Sequence, residues 1–171
     1  MATSIHVNGT ATLKTGTGAA SALELLGHSL DGVDLDFQDI REFVYSDAGG
    51  GPGNVPIDVQ EFGETCVISA DLIVYDEAVL TKIRKRPGQG TEGLLSAPGR
   101  LMGANSDFVR LLVESPTESV PWNFLYTYLR RKPVKLSTKR SIWRVQWQAI
   151  PYIGTASAAT GTTLFNRTTS G

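Results

Sequence analysis

Several segments of the sequence alternate apolar and polar residues with a period of two, the period of a β-strand that buries one face. Between Val33 and Phe37 every odd position is apolar, and Asp34 and Asp36 occupy the positions between them. The segment from Ile142 to Ala149 alternates in the same way. Neither pattern fits the 3.6-residue period of a helix. The sequence therefore predicts a mainly β fold of antiparallel strands.

Three more segments extend the predicted set of strands. Residues 66–75 and 108–115 each present a fully apolar face, and residues 123–131 are rich in aromatic side chains. One helix is predicted from Asp76, a capping residue, to Arg86 in a basic last turn, and Pro87 follows it. Strands on both sides of one helix predict a β-sandwich or barrel with one flanking α-helix.

The chain is long enough for one domain and contains two long loops. Its 171 residues are 41% hydrophobic, which suffices for one apolar core, and no second domain or internal repeat is evident. The glycine-rich segments Tyr45 to Val59 and Arg86 to Ser106 exceed what simple hairpins need. The tail, residues 155–171, is rich in Ser, Thr, Ala and Gly. We expect a single domain over residues 1–171 whose tail is extended or mobile in an isolated subunit.

Acidic and basic residues are separated along the chain. Residues 1–77 carry 13 acidic and 2 basic side chains, whereas residues 78–171 carry 4 and 14. The halves could neutralise each other within one subunit, or an acidic face of one copy could meet a basic face of the next, or the basic half could bind nucleic acid. The basic segments 82–86, 130–135 and 139–140 also suit a helix end and turns beside strands, which argues against nucleic-acid binding as the main function.

The sequence offers little of what enzyme chemistry requires. The single cysteine, Cys66, lies on the apolar face of a predicted core strand, where a thiolate is costly. His6 and His28 show no spacing to a metal-ligand set or a nucleophile. The acidic cluster from Asp31 to Asp39 does not match a calcium loop, and the glycine-rich segments lack the features of a phosphate-binding loop. We expect no catalytic activity, no cofactor and no metal ion.

Membrane association is also not indicated. The N-terminus lacks the apolar core of a signal peptide, and no uncharged apolar run approaches the roughly 18 residues of a membrane span. We therefore expect no membrane partner and synthesis in a cytoplasm.

Glycines, carboxylates and predicted strands follow a definite order along the chain. Residues 26–33 precede an alternating strand, which is followed by a loop over 47–50 that ends at 56–58. Gly63-Glu64 then precede an apolar strand, a predicted helix starts at 75–80, and the alternating segment 143–151 comes last. This order, over roughly residues 20 to 155, resembles that of bacteriophage tail tube proteins and related tube-forming virion components.

The resemblance implies six subunits per ring, rings stacked into a hollow tube, and an extended hairpin or loop that bridges stacked rings. It implies a place in the virion, contacts with other tail proteins such as a terminator, a baseplate or tip protein and, in contractile tails, a sheath. DNA would pass through without specific binding. Another virion component on a similar fold, such as a tail terminator, neck or decoration protein, is the alternative, and it would stop at one ring or lattice.

Within this resemblance two sets of residues are candidates for function. The segment from Asp39 to Asp58 is acidic at its ends and glycine-rich between them, and we expect it to contact neighbouring subunits. Its candidate residues are Asp39, Arg41, Glu42, Tyr45, Asp47, Gly50, Pro52, Asn54, Pro56 and Asp58. DNA slides through a duct only where Lys and Arg do not hold its phosphates. Asp34 and Asp36 are therefore the candidates for the lining of the lumen.

Overall fold

The computed structural model describes residues 3–17, 22–45, 56–76, 78, 108–137, 142–151 and 164–167. The elements within these residues are seven strands: β1 (Thr3–Val7), β2 (Ala11–Thr17), β3 (Glu24–Tyr45), β4 (Pro56–Tyr75), β5 (Val109–Glu114), β6 (Trp122–Ser137) and β7 (Ile142–Ala149). Every pairing between them is antiparallel. The predicted mainly β, antiparallel fold is confirmed.

The sheet closes on itself. Its hydrogen-bonded order is β3-β2-β5-β6-β7-β4, and β4 pairs again with β3, so strands β2 to β7 form a closed six-stranded barrel. Strand β1 is added to the edge of β3. Of the two predicted alternatives, the described strands therefore form a barrel and not a sandwich of two sheets.

The interior of the barrel is one apolar core built from alternate residues of the strands. Each strand sends every second side chain inward, which is the alternation seen in the sequence. The largest completely buried side chains are Trp147, Phe124, Leu13, Leu26, Leu35, Ile68, Leu72 and Leu111. Removal of this apolar surface from water is the main favourable contribution to the stability of such a barrel.

Strands β1 and β2 lie one after the other along the same edge of β3. They keep one register across a break at residues 8–10, up to a later shift within β2. Opposite this break β3 bulges, because residues 30–32 lie where β4 has only Asp71. Gly32 in the bulge has φ +86°, and a Cβ there would lie 2.0 Å from the carbonyl oxygen of Val7. Only glycine fits this position.

Strands β3 and β4 continue beyond the barrel as a two-stranded arm. We define the arm as residues 38–45 of β3 and 56–65 of β4, which pair with each other. Within the described residues no third strand pairs with either of them, because β1 begins at Thr3 opposite Phe37 and β7 ends at Ala149 opposite Cys66. The prediction of a loop from Tyr45 to Val59 was wrong at its C-terminal side, because β4 already begins at Pro56.

Two other predicted features lie largely outside the described residues. Of the helix predicted from Asp76 to Arg86, only Asp76 and Ala78 are described, and Asp76 Oδ1 accepts a hydrogen bond of 2.8 Å from the Ala78 amide, as an N-cap does. The long loop from Arg86 to Ser106 is outside them. No helix within the described residues has the length and apolar character that a membrane span requires.

Four residues of the predicted tail are described, and they are docked on the barrel. Asn166 exchanges two main-chain hydrogen bonds with Asn123 at the start of β6, of 2.9 and 3.0 Å. The ring of Phe165 lies 4.9 Å from that of Trp122 and 5.6 Å from that of Phe37, measured between centroids. This C-terminal segment therefore covers the end of the barrel from which the arm projects.

Candidate interaction surfaces

The arm has two faces, and the cross-strand register decides which residues share them. Directly opposite residues of an antiparallel pair lie on the same face. The face that continues the barrel interior, which we call the inner face, carries the pairs Asp39–Glu64, Arg41–Glu61 and Phe43–Val59. The other face, the outer face, carries Ile40, Glu42, Asp58 and Gln60.

The inner face begins with a cluster of charges at the base of the arm. Nη2 of Arg41 lies 2.9 Å from Oδ2 of Asp39 and 4.0 Å from Oε1 of Glu61. Burial raises the pKa of Glu64, and the negative charges of Asp39 and Glu61 raise it further. The base of the arm therefore carries three carboxyl groups and one guanidinium on this face, which makes it a negatively charged surface.

Further along the arm, large apolar side chains are exposed. Phe43 is 54% exposed and its cross-strand partner Val59 is 45% exposed, both on the inner face. Ile40 on the outer face is 48% exposed. Natural proteins usually blunt or cover a strand edge that carries such side chains, because an open edge pairs readily with another chain. The arm therefore has the character of an interface.

Six of the ten predicted contact residues lie together on the arm. Asp39, Arg41, Glu42 and Tyr45 belong to β3, and Pro56 and Asp58 belong to β4. The other four, Asp47, Gly50, Pro52 and Asn54, lie outside the described residues. The prediction missed Phe43, Val59, Glu61 and Glu64. One signal for them was available, since Ile57 and Val59 alternate with Asp58 and Gln60 as in a strand.

Asp34 and Asp36 lie on the outside of the barrel, as the alternation predicts. The Asp34 side chain is 65% exposed, and its Oδ1 lies 2.5 Å from Nδ1 of His6 on β1. Oδ2 of Asp36 accepts a hydrogen bond of 3.1 Å from the side chain of Gln38. Neither carboxylate contributes to the core, so both are available to a surface function.

A polar depression of about 310 Å³ lies beside Asp34 on this side of the barrel. Its one arginine, Arg144, donates two hydrogen bonds of 2.8 Å to the carboxylate of Asp71 on the neighbouring strand, and this contact raises the pKa of the guanidinium. The side chain of Gln146 donates to Ser69 Oγ at 3.1 Å. With its arginine paired and Asp34 exposed, this wall is neutral to acidic and offers phosphate little attraction.

The surroundings of Cys66 in the barrel interior disfavour its thiolate form. Cys66 is completely buried, and burial raises the pKa of its thiol to about 12. The thiol is therefore protonated at neutral pH and a poor nucleophile. Within the described part of the chain, no group of three or more His, Cys, Asp or Glu residues is arranged to hold a metal ion.

Comparison with known proteins adds no relative to this description. No protein-family model matches the chain, and no curated protein matches it.

Proposed function

We propose that this chain is a structural subunit that assembles with copies of itself into rings, and that the rings stack into the hollow tail tube of a bacteriophage. The observation that carries this proposal is the arm. It combines two strand edges that no other described strand covers with the exposed side chains of Ile40, Phe43 and Val59. A second copy of the chain that covers these groups turns an aggregation hazard into a specified contact.

The stability of the arm supports a role in assembly. An isolated two-stranded hairpin is marginally stable in water, and the arm has no third strand beside it in the described residues. Its charges are nevertheless ordered at the base by the contact of Arg41 with Asp39. A neighbouring subunit that packs on the arm would supply the burial that the hairpin lacks, so folding of its tip and assembly would be coupled.

The finer features of the proposal come from the resemblance to tail tube proteins. They are six subunits per ring, a hairpin that bridges stacked rings, and a helix on the outside of the barrel after Asp76. The described arm projects beyond one end of the barrel, as a hairpin that bridges two stacked rings would have to do. The proposed location is the virion, and the proposed partners are further copies of the chain together with terminator, baseplate or tip proteins.

The polar wall around Asp34 supports the passage of DNA through such a tube. Asp34 and Asp36 are carboxylates of this surface, and Asp34 contacts His6, while Arg144 is held by Asp71. A duct lined by this wall would repel phosphates weakly and hold none of them. We therefore propose that this side of the barrel faces the lumen.

The proposal is tested by negative-stain electron microscopy and sedimentation of the purified protein at increasing concentration. We expect hollow tubes with a regular axial repeat from the wild type. Phe43→Ser should raise the concentration needed for assembly by roughly tenfold or more, because it removes exposed apolar area from the contact. The matched control is Leu30→Ser, since Leu30 is 56% exposed but lies in the β3 bulge outside the arm.

The outcomes separate the alternatives. Tubes from the wild type and from Leu30→Ser, but not from Phe43→Ser, support assembly through the arm. Single rings that never stack would favour a terminator or neck protein. A wild-type protein that stays monomeric at every concentration would refute self-assembly.

A further inference from the structure

The arm leaves the barrel at the level where the neighbouring described strands end. At this level Phe37 of β3 pairs with Cys66 of β4. Strand β1 begins opposite Phe37, and β7 ends opposite Cys66. Beyond it the described arm is a ribbon of two strands, and such ribbons twist more than wider sheets do. The direction of the arm relative to the barrel therefore depends on the residues at this level.

The ribbon also contains a bulge close to its base. Ile40 pairs with Gly63 and Arg41 pairs with Glu61, so β4 has one residue more than β3 between these pairs. A bulge bends its strand and increases the local twist. Gly63 has φ +138°, and a Cβ there would meet no atom within 4 Å apart from its chain neighbours. The open space around Gly63 leaves room for the arm to change its angle.

A small tilt at the base moves the end of the described arm a long way. Residues 38–45 of β3 extend about 26 Å beyond Phe37 at the usual rise of a strand. A tilt of about 15° would displace Tyr45 by about 7 Å, which exceeds the roughly 4.8 Å between neighbouring strands. The exposed side chains of Phe43 and Val59 are therefore presented at one place only if the base is held.

The C-terminal segment 164–167 supplies such a hold. The Phe165 ring lies 5.6 Å from that of Phe37, the residue directly before the arm, and 4.9 Å from that of Trp122 at the start of β6. The rings of Phe37 and Trp122 are 6.0 Å apart, so Phe165 closes a triangle of rings. In the closed order of the barrel β6 is three strands from β3 in either direction. The triangle therefore spans the end of the barrel.

The segment is anchored on the β6 side independently of Phe37. Asn166 exchanges two main-chain hydrogen bonds, of 2.9 and 3.0 Å, with Asn123 of β6. Arg167 Nη2 donates a hydrogen bond of 2.7 Å to the carbonyl oxygen of Val120, in the turn before this strand, and lies beside the carboxylate of Glu118. Because these anchors do not belong to β3 or β4, Phe165 resists movement of the arm's base relative to the opposite wall.

We infer that Phe165 is a positioning residue for the arm, and that the docked C-terminal segment holds the arm at one angle to the barrel. The inference concerns the separate subunit, so it does not depend on self-assembly. It gives the segment a role beyond stability. Under the proposed function, an arm that is already held at one angle loses less conformational entropy when a second copy packs on it.

Two spin labels on the full-length protein measure the angle of the arm. Their positions are created by Gln60→Cys on the outer face of the arm and Leu30→Cys in the β3 bulge, since both side chains are exposed. Cys66 is completely buried and is kept. Pulsed electron paramagnetic resonance gives the distribution of distances between the labels, roughly 35 Å if the arm continues the line of β3. Sedimentation identifies a concentration at which each protein is a single subunit.

We expect one narrow distribution when Phe165 is present. Phe165→Ala should broaden it roughly twofold or more, because the two-stranded ribbon then samples a range of angles. Phe165→Leu keeps an apolar side chain against Phe37 and should restore most of the narrow distribution.

A matched control separates positioning from a general loss of stability. Val145→Ala and Leu72→Ala each truncate a completely buried side chain. Val145 is level with Ala70, and Leu72 lies two residues further from the arm. Circular dichroism gives the melting temperatures, and the variant that melts closer to Phe165→Ala is the control. It should keep the narrow distribution.

Two results would overturn the inference. If Phe165→Ala is folded and keeps the narrow distribution, the arm is held without the segment. If the matched core variant broadens the distribution as much as Phe165→Ala does, the effect is one of stability and Phe165 has no positioning role. A wild type that never assembles would refute the proposed function, whereas the distance measurement on the single subunit would stand.

Discussion

At the scale of the residue, the bulge in β3 depends on one glycine. Gly32 adopts φ +86° directly against the backbone of Val7, and Ser29 Oγ donates a hydrogen bond of 2.7 Å to its carbonyl oxygen. Gly9, in the break opposite, has a similar φ of +81°, but a Cβ there would meet only a methyl carbon of Thr117 at 3.6 Å. The two glycines therefore share a backbone conformation and differ in the space around them.

This difference predicts unequal effects of alanine. Gly9→Ala should lower the free energy of unfolding by about 1 kcal/mol, the cost of a left-handed conformation for a residue with a side chain. Gly32→Ala should lower it by about 3 kcal/mol or more, because the clash with Val7 adds to that conformational cost. Urea unfolding followed by circular dichroism measures both values. Equal losses would mean that the contact with β1 does not constrain the bulge.

At the scale of the element, the C-terminal segment 164–167 is held by a small set of contacts. Phe165 packs among Phe37, Trp122 and Phe124, with ring centroids 4.9 to 5.9 Å away. The Arg167 guanidinium carbon lies 4.1 Å from the centroid of the Trp122 ring, and Nη2 of Arg167 lies 2.5 Å from the carboxylate of Glu118. Of the two side chains, Phe165 is more buried than Arg167.

We expect Phe165→Ala to lower the free energy of unfolding by about 2 kcal/mol, since it removes most of the apolar contact that the segment makes. Arg167→Gln is the matched variant and should cost less than about 1 kcal/mol, because Arg167 is partly exposed and Glu118 keeps its 2.8 Å hydrogen bond from the Trp122 indole. Thermal unfolding of both variants measures the difference. A neutral Phe165→Ala would show that the segment contributes nothing to the stability of the barrel.

The strands that alternate most cleanly were the part of the fold that sequence could predict. Val33 to Phe37 and Ile142 to Ala149 bury their predicted faces, because a strand with one face in water leaves a period of two. The length of the arm was hidden, because β4 contains a register shift near Gly63 that breaks the alternation. Docking of the tail was hidden as well, although Leu164 and Phe165 are an apolar pair in an otherwise polar stretch.

At the scale of the whole molecule, closure of the barrel could not be read from any local pattern. It depends on the pairing of β4 with both β3 and β7, and the β4–β7 contact joins Cys66 to Ala149 across nearly half of the chain. Period-two alternation fits a sandwich as well as a barrel, since it reports only which face of a strand is buried. Of the proposed contact surface, the sequence marked Glu42 and Asp58 by their charge, whereas the exposed Phe43 was not marked.

The proposed position of Asp34 and Asp36 in the lumen is testable on assembled polymers. Asp34→Lys with Asp36→Lys should leave assembly intact and increase the duplex DNA retained by sedimented tubes roughly tenfold at low salt, because the wall then attracts phosphate. Glu24→Lys with Glu114→Lys makes the same change of net charge on the β2 side of the barrel, away from the wall around Asp34, and should retain little DNA. In the assembled phage, the first variant should impair DNA delivery more than tube formation. Loss of assembly without a gain in DNA retention would place these carboxylates at a subunit contact.

The position of the arm at one end of the barrel also decides how such a polymer could be started and stopped. A stack of head-to-tail copies leaves free arms at one end and free arm-receiving surfaces at the other, so the filament has a direction. A protein that begins growth and a protein that halts it would need different contact surfaces. Neither could substitute for the other, and subunits would add at the two ends with different rates. The orientation of the finished tube would then be fixed by the first subunit laid down.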